Sequence, residues 1–84
     1  MNLIFSEPAW KDYLHWQKAN PEIVKRIHLL IADTLRNPRQ GIGKPEPLKH
    51  ALSGYWSRRI DLEHRFVYKM TKEGLWIVQL RYHY

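Results

Sequence analysis

The chain has 84 residues, a formal net charge of +6 and no cysteine. This length allows one domain, predicted to span residues 1–84, and the missing cysteines exclude disulfides and thiolate metal sites. No apolar run approaches the roughly 18 residues that a membrane-spanning helix needs. The basic charge favours an anionic partner, most often nucleic acid.

The N-terminal segment shows no feature typical of a targeting signal. Residues 1–5 have neither a cationic region nor a long apolar run, so no signal peptide is expected. No segment combines a densely basic face with a bulky apolar face, which disfavours a membrane partner. The absence of cysteine fits a reducing compartment, and the predicted location is the cytoplasm.

The first half of the chain predicts a short strand followed by two helices. Residues 3–5 form an apolar run typical of a strand. Ser6 can cap a helix over residues 7–18, where apolar residues recur at helical spacing. Asn20 and the proline after it start a second helix over residues 21–36, which an Asn-Pro pair ends.

The second half predicts a long loop over residues 37–54 and then three antiparallel strands. The strands are expected over residues 55–61, 64–70 and 75–84, where β-branched and aromatic residues are frequent. The helices then cover one face of the sheet, and a charged concavity forms on the other. The predicted fold class is therefore α+β: an N-terminal strand, an antiparallel helix hairpin and then a three-stranded antiparallel sheet.

The register of the last two strands is predicted from a three-residue turn at residues 72–74, which ends in glycine. The expected pairs are Met70 with Trp76, Tyr68 with Val78, and Phe66 with Leu80. The even-numbered residues of the last strand then form its apolar face, and Arg65 stands opposite Arg81 on the polar face. His83 lies one diagonal step away, and the preceding tight turn brings Arg59 beside Arg65.

If Glu46 approaches the polar face of the sheet, it forms a candidate acid–base site with His83 and the arginines; otherwise it is a solvated acid of the loop. Glu46 lies between two prolines that stiffen its backbone, and Lys44 and Lys49 flank it. RNA cleavage needs a base for the ribose 2′-OH proton, cations for the phosphorane and an acid for the leaving 5′-oxygen. No histidine has a partner at metal-ligand spacing, so neither a metal nor another cofactor is predicted. The same basic face could instead bind phosphate without cutting it.

Four stretches of the second half resemble one protein family. They are KPEPLKH at 44–50, LSGYWSRRI at 52–60, EHRFVY at 63–68 and RYHY at 81–84. In these motifs, and in its length and helix layout, the chain resembles the YoeB toxins of the RelE/ParE superfamily, which belong to type II toxin–antitoxin systems. The resemblance implies the RelE-like microbial RNase fold.

The resemblance also implies an activity and roles for particular residues. The implied activity is a ribosome-dependent messenger-RNA endonuclease that enters the ribosomal A site and cuts the codon there. By position, Glu46 resembles the family's general base, His83 its general acid, and Arg65 the residue that stabilises the transition state. Tyr84 resembles the terminal residue that contacts the substrate. The predicted RNA- and phosphate-binding residues are Lys44, Lys49, Arg59 and Arg81.

The implied partners are a YefM-like antitoxin with a disordered tail, the 70S ribosome with its messenger RNA, and a second copy of the chain in a homodimer. Two alternatives stay open. One is a ParE-like toxin with a different target, DNA gyrase, which the presence of both Glu46 and His83 disfavours. The other is a non-catalytic basic RNA-binding domain, in which Glu46→Ala leaves activity intact and Arg65→Ala weakens binding.

Overall fold

The computed structural model describes residues 1–83 and contains two helices and a five-stranded mixed sheet. The elements in chain order are β1 (Asn2–Phe5), α1 (Glu7–Ala19), α2 (Pro21–Arg36), β2 (Glu46–Pro47), a 3-10 turn (His50–Leu52), β3 (Trp56–Arg59), β4 (Arg65–Met70) and β5 (Gly74–Gln79). The strands lie in the order β1–β5–β4–β3–β2. Strand β1 is parallel to β5, and the other neighbouring pairs are antiparallel. The predicted α+β class is confirmed, and β1 and β2 extend the predicted three-stranded sheet to five strands.

Both helices begin and end close to the predicted residues because the sequence supplies their caps. Ser6 Oγ accepts a hydrogen bond from Ala9 N–H at 3.1 Å. Asn20 ends α1 with its backbone N–H, which donates to Trp16 O, and begins α2 with its side chain, which accepts from Glu22 N–H. One asparagine therefore provides a hydrogen-bond partner for one backbone group at each of the two helix ends. In the part of the chain that the structure describes, neither helix is long and apolar enough to cross a membrane.

The core lies between the helix hairpin and one face of the sheet. Its buried residues are Ala9, Trp16, Ile27, Leu30, Ile31, Ile60, Phe66, Tyr68, Leu75, Ile77 and Leu80. Each large apolar side chain buried here contributes roughly 1.5–3 kcal/mol to stability. Side chains alternate along a strand. Phe66 and Tyr68 face the helices, so their neighbours Arg65, Val67 and Lys69 point away from the helices. We call the sheet face that points away from the helices the outer face. It carries Ser57 and Arg59 of β3 and Arg65 and Val67 of β4.

The β4–β5 register differs from the prediction because the turn between the strands has two residues instead of three. Thr71 and Gly74 exchange backbone hydrogen bonds of 2.9 and 3.3 Å, so β5 begins at Gly74. The observed pairs are Met70–Leu75, Lys69–Trp76 and Tyr68–Ile77, and the predicted pairs Met70–Trp76 and Tyr68–Val78 are wrong. A shift of one residue exchanges the two faces of a strand, which puts Leu75 and Ile77 into the core.

A β-bulge changes the register again at the end of β5. Tyr68 pairs with Ile77 but Val67 pairs with Gln79, so Val78 is an extra residue on β5. The strand ends at Gln79, so its predicted continuation is wrong over residues 80–83, and the predicted last residue, 84, lies outside the described residues. The predicted Phe66–Leu80 pair and the predicted position of Arg81 opposite Arg65 fall beyond this end.

Helix α1 and its cap explain why β5 ends where it does. Ser6 Oγ donates to Val78 O at 2.7 Å. The Asp12 carboxylate accepts from Leu80 N–H at 3.1 Å, and Trp16 Nε1 donates to Leu80 O at 2.8 Å. These side chains replace ladder partners for the backbone after the bulge, so the chain leaves the sheet without losing its hydrogen bonds.

The segment predicted as a loop, residues 37–54, contains strand β2 and the 3-10 turn. Strand β2 pairs Glu46 with Ser57 and Pro47 with Trp56 at the edge of the sheet. An edge position suits Pro47, since proline has no N–H for a second neighbour. Strand β2 was missed because a strand of two residues, one of them a proline, carries no periodicity.

Candidate functional site

The candidate site lies on the outer face, where one residue from each of four neighbouring strands forms a row of paired residues across the sheet. Glu46 of β2 pairs with Ser57 of β3, Ser57 with Val67 of β4, and Val67 with Gln79 of β5. Neighbouring strands are about 4.8 Å apart, so Glu46 lies two strand spacings, about 10 Å, from the backbone of β4. Residues far apart in sequence therefore share one face of the sheet.

The segment around Glu46 is shaped by unusual backbone geometry. Lys44 and His50, on either side of β2, have positive φ angles of 52° and 57°. Such residues are uncommon outside glycine and cluster at functional sites. Residues 46–52 line a cavity of about 490 Å³. Glu46 and Lys49, which line this cavity, and Lys44 just before it are exposed, so a carboxylate and two ammonium groups face solvent along this segment.

Arg59 and Arg65 stand directly opposite each other across β3 and β4, as predicted. Their environments differ. Arg59 is exposed, whereas Arg65 has only 7% of its surface accessible. Arg65 Nη1 donates to the backbone carbonyls of Asp61 at 2.9 Å and His64 at 3.1 Å. The turn between the strands therefore holds the Arg65 guanidinium in place before any substrate arrives.

The segment after β5 crosses beside the start of β4. Arg65 N–H donates to Tyr82 O at 3.0 Å, and Tyr82 N–H donates to His64 Nδ1 at 2.8 Å. Gln79 Nε2 donates to the carbonyls of Arg81, Tyr82 and His83 at 2.7, 3.1 and 3.1 Å. His83 is exposed, and Tyr84 lies outside the described residues. Backbone bonds thus tie the segment that carries His83 to the strand that carries Arg65.

Arg81 occupies a different place from the predicted one. Its guanidinium lies 5.9 Å from the Trp16 ring centroid and 4.6 Å from that of Tyr82, both within cation–π range. The residue is half-buried against α1. Its Nε is buried and makes no hydrogen bond within residues 1–83. Arg81 therefore packs against the Trp16 and Tyr82 rings instead of standing opposite Arg65.

Arg58 is a structural residue that the sequence reasoning missed. Its side chain is fully buried, and its Nη1 donates to Asp33 Oδ2 at 2.6 Å. It also donates to Tyr68 Oη and to the carbonyls of Asn37, Gln40 and Ile42. A signal existed: Arg58 and Arg59 are adjacent on a strand, so one of them must face the helices. Arg58 fastens the start of the segment that leads to Glu46.

The buried Arg58 side chain affects the pKa values of Asp33 and Tyr68. The hydrogen bond from Arg58, followed by the one from Ile42 N–H, lowers the pKa of the Asp33 carboxyl below its ordinary value. Burial raises the pKa of the Tyr68 hydroxyl, although its hydrogen bond with Arg58 opposes this effect. Tyr68 stays protonated and donates to Pro38 O at 2.6 Å, so it helps Arg58 to hold the same loop.

The structure thus brings together most of the predicted site residues. Glu46, Arg59 and Arg65 share the outer face, the segment of His83 is bonded to it, and Lys44 and Lys49 border β2. Within residues 1–83, no group of three or more histidine, aspartate or glutamate side chains could hold a metal ion.

Solved structures of the same architecture identify the class. The chain aligns with the YoeB/ParE toxin from Agrobacterium tumefaciens at a TM-score of 0.96 and 46% identity, with both chains covered completely. It aligns with a chain of the YoeB–YefM complex from Staphylococcus aureus at a TM-score of 0.92 and 45% identity, covering 100% of this chain and 98% of that one. A YoeB dimer from S. aureus gives a TM-score of 0.93 at 44% identity and the same coverage. The fold is that of a toxin from a toxin–antitoxin system.

The sequence comparison narrows this class to a family. The family model for the YoeB-like toxin of bacterial type II toxin–antitoxin systems matches residues 5–84. The toxin YoeB of Escherichia coli (strain K12) is 60% identical over 84 residues, which cover 100% of both chains. The chain therefore belongs to the YoeB-like toxins of type II toxin–antitoxin systems, and the resemblance found in its motifs is confirmed.

Proposed function

We propose that this toxin is an endoribonuclease that cuts messenger RNA in the A-site codon of the ribosome and so stops translation. One observation carries the proposal: the strand pairings bring Glu46, the Arg59–Arg65 pair and the anchor of the C-terminal segment, Gln79, to one face. An acid, a base and fixed cations on one surface are what phosphodiester cleavage by a neighbouring 2′-OH requires.

In this mechanism Glu46 acts as the general base and His83 as the general acid. The Glu46 carboxylate takes the proton of the ribose 2′-OH, and the 2′-oxygen forms a bond to phosphorus. The bond from phosphorus to the 5′-oxygen breaks, and the protonated His83 imidazole gives its proton to that oxygen. The products are a 2′,3′-cyclic phosphate and a free 5′-hydroxyl, and no metal takes part.

The arginines stabilise the charge that develops on the phosphorane. Arg65 is already fixed by the carbonyls of Asp61 and His64, so little reorganisation is needed when the charge appears. Arg59, Lys44 and Lys49, which are exposed, bind neighbouring phosphates in this proposal, and Arg81, whose guanidinium lies on the Tyr82 ring, adds positive charge at the C-terminal segment. Tyr84 is proposed to contact the substrate at the cleaved bond. Phosphate contacts position the RNA without reading its sequence.

The proposed partners are the 70S ribosome with its messenger RNA, a YefM-like antitoxin and a second copy of the toxin. The basic net charge of +6 supports an RNA-rich target. The S. aureus relatives described as a YoeB–YefM complex and a YoeB dimer support the antitoxin and the homodimer. The ribosomal target implies that the toxin acts in the cytoplasm.

The experiment compares the purified toxin on messenger-programmed ribosomes with the same RNA free in solution, and maps the cut ends. We expect cuts only in the A-site codon, with 2′,3′-cyclic phosphate ends, that persist with EDTA at a level that leaves ribosomes intact. Cleavage that is lost with EDTA and restored by one transition metal would contradict the metal-free scheme. No cuts from a folded toxin that still arrests growth would favour the ParE-like alternative, and RNA binding without cuts would favour the non-catalytic one.

A further inference from the structure

The segment that carries His83 is held in a conformation that its own sequence does not favour. Tyr82 has a φ angle of +64°, in the left-handed region that residues with a Cβ rarely adopt. Its ring meets the Arg81 guanidinium at 4.6 Å and the His64 ring at 6.0 Å, but the residue is still 55% exposed, so ring packing supports the conformation only in part. Hydrogen bonds from neighbouring residues must therefore maintain this turn.

The β-bulge at Val78 supplies the main donor. In a regular strand, Gln79 would face the same way as Ile77 and point into the core. The extra residue rotates Gln79 onto the outer face, opposite Val67, while Leu80 enters the core. Bulges re-aim side chains in this manner beside functional sites.

The Gln79 side-chain amide then meets three backbone acceptors. Its Nε2 donates to the carbonyls of Arg81, Tyr82 and His83 at 2.7, 3.1 and 3.1 Å. Carbonyl oxygens can only accept, so the amide must present its nitrogen to them. The two N–H groups of the Gln79 amide are shared among these three carbonyls. Residues 81–83 therefore form a turn around the Gln79 side chain.

His64 holds the other side of the same turn. Its Nδ1 accepts the Tyr82 N–H at 2.8 Å, so this nitrogen carries no proton and the ring is held as the Nε2–H tautomer. The ring is 9% exposed and packs edge-on against Trp16, with centroids 4.8 Å apart. Arg65 N–H completes the set by donating to Tyr82 O at 3.0 Å.

We propose that Gln79 and His64 are positioning residues that lock the left-handed turn at Tyr82 and thereby set the place of the His83 imidazole. The inference rests on the proposed function, in which His83 is the general acid. Neither side chain needs to touch the RNA: Gln79 acts through the backbone carbonyls of residues 81–83, and His64 through one backbone N–H. Together they convert a short C-terminal segment into a rigid support.

The first test replaces Gln79 with glutamate, which has the same shape but no N–H to donate. Gln17→Glu is the matched control, because Gln17 is exposed on α1 and undergoes the same change of charge. We expect Gln79→Glu to lower the single-turnover cleavage rate on programmed ribosomes about 100-fold, the usual effect of misplacing a reacting group by about 1 Å. The ribosome concentration for half-maximal rate should change little, since the arginines remain.

The second test uses the acceptor at His64. Asparagine can place its Oδ1 where His64 has Nδ1, whereas leucine has no acceptor. We expect His64→Leu to lose cleavage as Gln79→Glu does, and His64→Asn to recover most of it. Equal losses in both His64 variants would assign this residue a packing role only and overturn its part of the proposal.

Backbone exchange gives a readout that does not depend on cleavage. In the parent toxin the Tyr82 N–H should be protected from solvent exchange, and Gln79→Glu and His64→Leu should expose it and shift the NMR signals of the His83 ring. If the parent does not cleave RNA, the proposed function fails, and Tyr82 protection alone decides whether the turn is locked. If the parent cleaves and Gln79→Glu cleaves equally well with an unchanged His83 signal, the lock is overturned and the proposed function stands.

Discussion

Arg58 Nη1 donates to Asp33 Oδ2 at 2.6 Å and so joins strand β3 to helix α2 inside the protein. The arginine is completely buried, and it also caps the carbonyls of Asn37, Gln40 and Ile42. An isolated buried charge is unfavourable, and only this complete set of acceptors makes it tolerable. The same contacts fix residues 37–42, which precede the segment of Glu46.

Arg58→Met should strongly destabilise the fold. The change leaves the partly exposed Asp33 carboxylate and several loop carbonyls without their donor, and each buried polar group left unsatisfied usually costs about 1–3 kcal/mol. Urea unfolding measures the loss in the free energy of unfolding. Arg39→Met is the control, because Arg39 is exposed and should change stability by less than about 0.5 kcal/mol. Similar losses in the two variants would contradict the structural role of Arg58.

The stability of the toxin should fall at acidic pH because of Asp33. Its pKa is lower in the folded protein than the ordinary value of 3.8, chiefly through the hydrogen bond from Arg58. The unfolded chain therefore binds the proton more readily. The stabilisation is complete above pH 3.8 and is lost as pH falls through the folded pKa.

Urea unfolding of the parent and of Asp33→Asn across this range tests the prediction. Because asparagine does not titrate, the parent's advantage in unfolding free energy should shrink as pH decreases below about 4. An advantage that is constant or grows on acidification would show that another group controls acid stability.

Gly74→Ala should disrupt the junction of β1 and β5. Gly74 has a φ of +148°, and a Cβ there would lie 2.2 Å from Asn2 O, so β1 would have to move. We expect a loss of more than about 1–3 kcal/mol, the usual range for backbone strain alone. Gly54→Ala is the control: its φ is +96°, but its Cβ would meet only Lys69 Nζ at 3.9 Å. Equal losses of unfolding free energy would mean that the close approach of β1 has no energetic effect.

Glu46→Gln should abolish most cleavage while preserving the fold. The amide retains the shape of the side chain but cannot take the 2′-OH proton, which should lower the single-turnover rate about 10²–10⁴-fold. Glu73→Gln, in the exposed β4–β5 turn, is the matched control and should cleave normally. An unchanged rate in Glu46→Gln would remove Glu46 from the role of base and favour the non-catalytic RNA-binding alternative.

His83→Ala should lower the cleavage rate by a similar factor of about 10²–10⁴, the usual contribution of a positioned general acid. The variant should unfold at the parent's urea concentration, since His83 is exposed. His28→Ala serves as the control, because His28 is exposed on α2 and its ring is hydrogen-bonded to the Tyr13 hydroxyl of α1. Single-turnover cleavage on programmed ribosomes measures both, and a normal rate in His83→Ala would exclude it as the acid.

Local signals in the sequence were sufficient for the helices and insufficient for the register of β5. The caps at Ser6 and Asn20 act within a few residues, so their effect is visible in the sequence. The register of the β4–β5 turn depended on whether Gly74 was the last residue of the turn or the first residue of β5. Glycine is suited to both positions. Gly74 lies in β5 because it packs closely against Asn2 of the neighbouring strand β1, which is far away in sequence.

By itself, the sequence determined the α+β class, the two helices, the family and the pairing of Arg59 with Arg65. These features depend on short-range patterns, on helix caps and on motifs, all of which can be recognised without knowing which residues are close in space. Only the tertiary structure decided that Arg58 is buried, that β5 bulges at Val78, and that the last turn closes on Gln79 and His64. Each of these depends on hydrogen bonds or packing between distant segments, because a buried charge or a strained turn is stable only when the folded chain supplies its partners.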